Sequence, residues 1–472
     1  MPLPLPPVID QIDQTFDASL ERLKDLLRIK SISTDSSFDD ETRRAGQWIV
    51  DQLSEIGFDV SLRDTTGHPM VVAHHEGPEG EDVPHILYYG HYDVQPPDPL
   101  ELWDSEPFDP TIVDGPRGPR IVARGAVDDK GQLMTFVEAF RAWKSVHGSL
   151  PVKITVFIEG EEESGSPSLD PFLKENREEL AADVCVVCDT GMWDIDTPAI
   201  TYMLRGLVYI EATLHGPSHD LHSGMFGGSL HNPCNALCRI LGELVDEDGR
   251  VQIPGFYDDV LELSDEERTQ LSNLGFDGDA YLGELGLKEG FGETGYSMLE
   301  RLWTRPTCDI NGLLGGYTGE GAKTVIGASA MAKISCRLVA NQNPQKIYES
   351  LVSFLEARTP PGYRWDILQH GNSPAIRVPT ESPFLEAALA GLETTYGKKA
   401  VLIGTGGSIP LVGSIQEILG FDSLLVGFGL DDDRMHSPNE KFEVKCYRKG
   451  IESHAAILHQ LASVSRQAMA PT

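Results

Sequence analysis

Basic residues are scarce in this chain: 38 lysines and arginines stand against 73 aspartates and glutamates in 472 residues, a formal net charge of −35. A phosphate backbone or an anionic bilayer would be repelled by such a field, so neither a nucleic-acid partner nor a membrane partner is expected. Long apolar runs are missing as well. No stretch approaches the roughly 18–20 apolar residues that cross a bilayer, and MPLPLPPVID has neither the basic residues nor the apolar core of a secretory leader. Cysteine is thin, seven in the whole chain. An odd, scattered set suits reduced thiols better than a disulfide framework and points to a cytoplasmic location. Cys185 and Cys188 form a C-x-x-C inside the apolar run VCVVC, but residues three apart on a strand face opposite ways, so no shared metal is expected there. Cys234 and Cys238, four apart on an expected helix, read as core thiols. Internal repeats and low-complexity tracts are absent too.

What remains is ordinary globular composition, 40% hydrophobic and 24% charged, at a length that fits two or three domains. After a proline-rich start the spacing of Leu20, Leu23, Leu26 and Leu27 predicts a helix near Phe16–Ile29, and a second over Asp40–Ile56 stops at Gly57. Four apolar segments of strand length then each run into a polar cluster. His85–Tyr89 leads into GHYDVQP, Arg120–Ala123 into RGAVDDKG, Val152–Ile158 into EGEEESGS, and Val184–Val187 into CDTGMW. A helical pattern over Lys130–Val146 lies between the second and third. This alternation predicts an α/β sheet with its ligands beyond the carboxyl ends of the strands. From about Leu207 to Val378 a separate unit is expected: a strand at Leu207–Leu214, a helix capped by Asn232 with Pro233 in its first turn, then strand, helix and strand. Asp259–Arg305 is acidic and without clear period. The tail from about Pro383 returns to α/β patterning.

The chemistry-bearing residues collect after the strands: His91, Asp93, Asp128, Glu162, Glu163 and Asp189, joined later by His436 in RMHSPNE. So many carboxylates in one crevice would repel one another unless a cation sat among them. Imidazole with carboxylate suits zinc or manganese better than calcium or magnesium. Two histidines and three carboxylates suffice for two metals with one carboxylate bridging, and a further free carboxylate could serve as general base. Taken singly, each cluster has a plain alternative: a solvated acidic loop, a helix cap, a core histidine. Their coincidence at four strand ends is what favours a metal site.

These residues resemble the dinuclear metallopeptidases that include carnosinase, cytosolic nonspecific dipeptidase, aminoacylase and succinyl-diaminopimelate desuccinylase. GHYDVQP, WDSEPF, RGAVDDKG, EGEEESGS, DLHSGMFGG, GAKTVI, GGSIP and HSPNE occur in that family's order from Gly90 to Glu440, and the set looks most like the dipeptidase branch. The resemblance implies that His91 and Asp189 bind one metal, Glu163 and His436 the other, and that Asp128 bridges them. Zinc is the metal it favours, with manganese the alternative. It implies that Glu162 is the general base, that Asp93 orients His91, and that the Asp128–Asp129 peptide is cis. It further implies an α/β catalytic domain with a mixed sheet flanked by helices, split as 1–206 and 379–472 around an inserted α+β lid and dimerisation domain at 207–378. His222 would reach the active site of the partner subunit in a homodimer to stabilise the oxyanion. Arg337 and His370 would bind the substrate carboxylate or nearby backbone, and Ser408 would line the pocket.

The expected function is a metal-dependent dipeptidase, hydrolysing small peptides with a metal-bridging water that Glu162 deprotonates. An N-acyl amino acid deacylase or a carboxypeptidase could use the same centre. A non-catalytic binding protein of the same fold would have lost a ligand or the base, and none is missing. Gly327 and Thr405 depart from the branch's usual proline and glutamate, which bears on specificity and not on the metal set.

Overall fold

The computed structural model of the chain describes residues 3–80, 82–407 and 409–465, in two compact units. One takes the chain up to Tyr202, Val378–Ile403 and the part from Pro410 on; the other takes Met203–Arg377 with Gly404–Ile409. The sequence places the insertion at 207–378 and leaves GTGGSIP with the tail, whereas the structure draws Gly404–Ile409 into the second unit. Gly404 packs against Trp303 so closely that a Cβ would come within 2.7 Å of it, and the Arg205 N–H donates to the Gly407 carbonyl. No local pattern announces such contacts.

The first unit is built on a mixed sheet. Its strands run in the order Asp59–Arg63, Met70–His75, Lys153–Glu159, His85–His91, Val184–Val187, Ser423–Leu425 and Ala199–Leu204. His85–His91 is parallel to both of its neighbours, and Ser423–Leu425 is parallel to Val184–Val187. The three central strands are buried almost end to end, which is why they read as continuous apolar runs without alternation. The helix Lys130–His147 is buried on nearly every side through its first three turns, packed between Pro6–Leu27 and Val444–Leu461. The first helix begins ten residues before the expected Phe16. Pro6 and Pro7 occupy its first turn, where no amide donor is needed, and Val8 and Ile12 extend its buried stripe. The second helix ends at Gly57, whose φ of 100° is the left-handed stop the sequence suggests.

One expectation about the sheet is overturned. The segment around Arg120–Ala123 is not a strand of the central sheet. Gly118–Val122 instead joins Thr111–Gly115 and Lys441–Glu443 in a separate three-stranded sheet. One of its two partners, Lys441–Glu443, lies more than 300 residues away, so a short apolar run could not reveal which sheet it would join. The consequence is functional, because it sets the chain leaving His436 against the chain entering the Asp128 loop.

In the second unit four antiparallel strands run in the order Thr307–Gly315, Ser329–Leu338, Gly206–His215, Arg364–Ser373. Burial alternates strictly along Gly206–His215. Val208, Ile210 and Ala212 join Leu237 and Ile240 of one helix and Leu351 and Phe354 of another in one core. Asn232 caps the helix Pro233–Gly242 as expected. Of its two expected core thiols, Cys234 is half-buried and packs against the core, whereas Cys238 is exposed, because the buried face runs through Ala236, Leu237, Ile240 and Leu241. The aperiodic acidic stretch is organised around a buried guanidinium instead of an apolar stripe. Arg305 pairs with Glu293 and Glu262 and lies over the rings of Tyr257 and Tyr296. Among the described residues no helix is long and apolar enough to cross a membrane.

Candidate metal centre

Within the first unit the chain brings its histidine and carboxylate clusters to one place. His91 ends its central strand, Asp189 follows the next one, and Glu162 and Glu163 sit in a single 3-10 turn directly after Lys153–Glu159. Asp128 comes from the loop before the helix at Lys130, and the Asp128–Asp129 peptide is cis. His436 comes from a loop in which Arg434, His436 and Asn439 all adopt positive φ. Two groups of ligand atoms result: His91, Asp128 and Asp189, and Asp128, Glu163 and His436, with the atoms of each group within 4.8 Å of one another. Asp128 belongs to both. Its Oδ1 lies 3.2 Å from His91 Nε2 and its Oδ2 lies 2.9 Å from His436 Nε2. The same His436 nitrogen is 3.1 Å from Glu163 Oε2.

The residues fit a pair of cations. His91 Nε2 is buried without a well-directed hydrogen bond, although Asp128 is near; a cation held by that nitrogen and the surrounding oxygens would satisfy it. The donors are imidazole nitrogens and carboxylate oxygens with no thiolate, a set that suits zinc or manganese. The protein's own charges tell the same story. Burial pushes Glu162 up to about 9, against the pull of His91 and with Asp189, Glu163 and Asp93 adding to the rise. Burial likewise raises Asp189 to about 7, and raises Glu163, where Asp128 adds to the effect. Hydrogen bonds to Asp128 and Glu163 lift His436 to about 10. Burial lowers His91, but Asp128 and Asp93 outweigh it and hold the ring well above its usual range. Burial raises Asp128 too, but its hydrogen bonds to His436 and His91 outweigh that and hold it below the usual carboxylate range; with Glu162, Glu163 and Asp189 all raised, the cluster is short of positive charge, which two divalent ions would supply.

Beneath the ligands, carboxylates from one loop hold the backbone of the next. Asp93 accepts from the Glu162 and Glu163 amides at 3.3 and 3.0 Å, and its Oδ1 lies 3.3 Å from His91 Nδ1. Asp129 accepts from the His91 amide at 3.1 Å. Gly90 allows that approach, since a Cβ there would come within 2.8 Å of the Asp129 carboxylate. Gln95 donates to Glu163 Oε2 at 2.8 Å. Glu161 is committed elsewhere: it accepts from the His68 amide and from the Ser168 amide and hydroxyl. Of the three consecutive glutamates, that leaves Glu163 in a ligand group and Glu162 in neither group. Gln95, Asp129 and Glu440 stand inside recognisable motifs, but the sequence attaches no role to them, because neither a donor to a ligand nor an acceptor of backbone amides carries a spacing signature.

The remaining expected residues lie in the second unit. His222 is exposed, and its Nδ1 accepts from the Gly224 amide at 3.0 Å, capping a four-residue turn of helix. Arg337 and His370 share the sheet face opposite the apolar core. Arg337 pairs in register with Leu207; His370 sits at a bulge between Gln369 and Gly371, 3.6 Å from Glu211 and beside the Tyr209 ring. Ser408 lies outside the described residues.

The model of peptidase family M20/M25/M40 matches residues 87–460. A Cys-Gly metallodipeptidase of Candida albicans is 31% identical over 97% of each chain. The solved structure of human carnosine dipeptidase 1 superposes with a TM-score of 0.83 at 30% identity, covering 98% of this chain and all of the other. An M20 metallo-carboxypeptidase from Sulfolobus solfataricus, Sso-CP2, gives the same TM-score at 32% identity, covering 94% of this chain and 99% of that one.

Proposed function

The chain belongs to peptidase family M20/M25/M40, and on that footing we propose that it is a metal-dependent dipeptidase acting on small unblocked dipeptides. The observation that carries this reading is the pair of ligand groups sharing Asp128, with Glu162 in neither but within the electrostatic reach of His91 and Asp189 in one and Glu163 in the other. His91, Asp128 and Asp189 would hold one ion, and Asp128, Glu163 and His436 the other, zinc before manganese. When bound, the two ions supply the Lewis acidity that makes a water nucleophilic near neutrality and polarises the peptide carbonyl. The Glu162 carboxylate takes the proton of the attacking water and returns it to the nitrogen of the leaving amine. Asp93 holds His91 by its second ring nitrogen and holds the Glu162 turn by its amides, so one side chain positions both a ligand and the base.

The second unit acts in this reading as lid and dimerisation domain, with Arg337 and His370 binding the substrate carboxylate and Ser408 lining the pocket. His222 of the partner subunit stabilises the oxyanion. Support for a homodimer comes from Thr307–Gly315, an edge strand among the described residues, which exposes Ile310, Leu313 and Leu314. Sedimentation at assay concentration is expected to show a dimer; a fully active monomer would overturn the role of His222. The thin cysteine content suits a cytoplasmic location.

A second reading has a specific observation behind it, because the carboxypeptidase Sso-CP2 is as similar as the dipeptidases. The test is a turnover panel of dipeptides, longer peptides and N-acyl amino acids on protein of known metal content. Unblocked dipeptides are expected to be turned over fastest. Release of C-terminal residues from longer peptides at higher rate would favour a carboxypeptidase, and activity confined to N-acyl substrates would favour a deacylase.

A further inference from the structure

Glu440 closes the HSPNE motif four residues after His436 and is fully buried. Its carboxylate gathers four donors from one short loop. Oε1 accepts from the amides of Val127 at 2.9 Å and Asp128 at 3.1 Å. Oε2 accepts from the Gly125 amide at 2.9 Å and from the Arg124 guanidinium at 2.7 Å. The Glu440 carbonyl takes the Ala123 amide at 3.2 Å, and the next residue, Lys441, pairs in register with Val122. The His436 loop is closed on itself as well: Asp433 accepts from the Lys441 amide through its carbonyl and from the Lys441 ammonium through its side chain.

An ion pair with Arg124 alone would need one carboxylate edge and no amides. Here three amides converge as well, and the last belongs to Asp128, the residue shared by both ligand groups. Charge-assisted bonds of this kind are short and directional, and several on one carboxylate fix a backbone far better than one. The loop carrying His436 therefore grips the loop carrying Asp128, and both side chains must meet for the second group to exist. The first group leans on it less, since His91 and Asp189 come from strand ends anchored by Asp93, Asp129 and the sheet itself.

We propose that Glu440 is a positioning residue for the group Asp128–Glu163–His436: it holds the shared carboxylate opposite His436 and so sets the affinity for one of the two ions more than for the other. The proposal rests on reading the two groups as metal ligands, and its test separates the two. Chelator-stripped full-length protein is titrated with Co2+, followed by calorimetry and by the visible d–d absorption of the bound ion. The unaltered chain is expected to take up two ions; failure to do so would overturn the dinuclear reading and this proposal with it. Glu440→Gln keeps one acceptor oxygen and turns an NH2 group towards donors. It is expected to bind the first ion within about 3-fold of normal and the second about 10–100-fold more weakly, the range typical of residues that support ligands.

Because that variant leaves Arg124 buried without its partner, the double variant Arg124→Gln/Glu440→Gln removes both charges together, which is far better tolerated. It is expected to fold and to show the same weakened second ion. Arg124→Gln alone keeps the amide grip; it should lower thermal stability and still bind both ions. Wild-type affinity for both ions in the Glu440 variants would reduce Glu440 to a structural ion pair and overturn the proposal, as would an equal loss of the second ion in Arg124→Gln.

Discussion

Glu162→Gln is expected to lower turnover by at least ~10²-fold and by as much as ~10⁴-fold, the range over which a positioned general base acts, while the protein still binds both ions. Glu162 belongs to neither ligand group, so its replacement removes no donor. The amide is also a close mimic of the acid the fold already tolerates. Burial, against the pull of His91 and with Asp189, Glu163 and Asp93 adding to it, pushes Glu162 up to about 9, so without cations the neutral acid is the favoured form near pH 7. A neutral glutamine in its place should leave the melting temperature of the metal-free protein nearly unchanged. Two divalent ions would reverse that bias and favour the carboxylate, a change glutamine cannot follow. The loss should therefore appear in kcat and not in folding or metal uptake. Steady-state rates with metal analysis of the same preparation check it, and a Glu162→Gln protein of full activity would end the proposed role.

Asp128→Asn is expected to be more damaging still, abolishing turnover by emptying both ligand groups. Its two oxygens face different histidines, His91 at 3.2 Å and His436 at 2.9 Å. Asparagine offers one oxygen and no charge, so whichever way the amide turns, one group loses its donor and both lose the counter-charge. Metal affinity should fall by more than the ~10–100-fold typical of losing a supporting residue. After dialysis against buffer without metal, elemental analysis is expected to find two ions in the unaltered protein and none in the variant. His436→Ala makes the informative contrast, because it touches only the second group and should leave one ion bound. Retention of two ions by Asp128→Asn would show that it does not bridge.

Much of this centre is legible before any coordinates. His91, Glu162, Glu163 and Asp189 each follow a run of apolar residues that can only be a buried strand, and chain order then dictates that they gather at the same edge of the sheet. The choice between Glu161 and Glu162 is a different matter. Residue type does not distinguish three successive glutamates; the resemblance points to Glu162, and the structure adds that Glu161 is taken by the His68 and Ser168 donors and Glu163 by Gln95. Helix termini were legible where a single residue type enforces them, as at Gly57 and Asn232. They were misplaced at Pro6, where proline reads as a breaker yet sits in the one turn that tolerates it. The i, i+4 spacing of Cys234 and Cys238 defines a face without saying how deeply each position is buried, and Cys234 alone reaches the core.

The sequence by itself determined the donor chemistry: which side chains could hold a cation, that the strands deliver them to one crevice, and that a long insertion separates the last histidine from the rest. Those properties are one-dimensional, written in residue type, burial period and order. Tertiary structure decided which strand belonged to which sheet, which glutamate was free, how far GTGGSIP sided with the inserted unit, and that Glu440 grips the Asp128 loop. Each of these depends on a partner between seven and more than 300 residues away, met through backbone ladders and close packing or through hydrogen bonds to ordinary carboxylates. A carboxylate bound to three backbone amides looks no different in sequence from one bound to water.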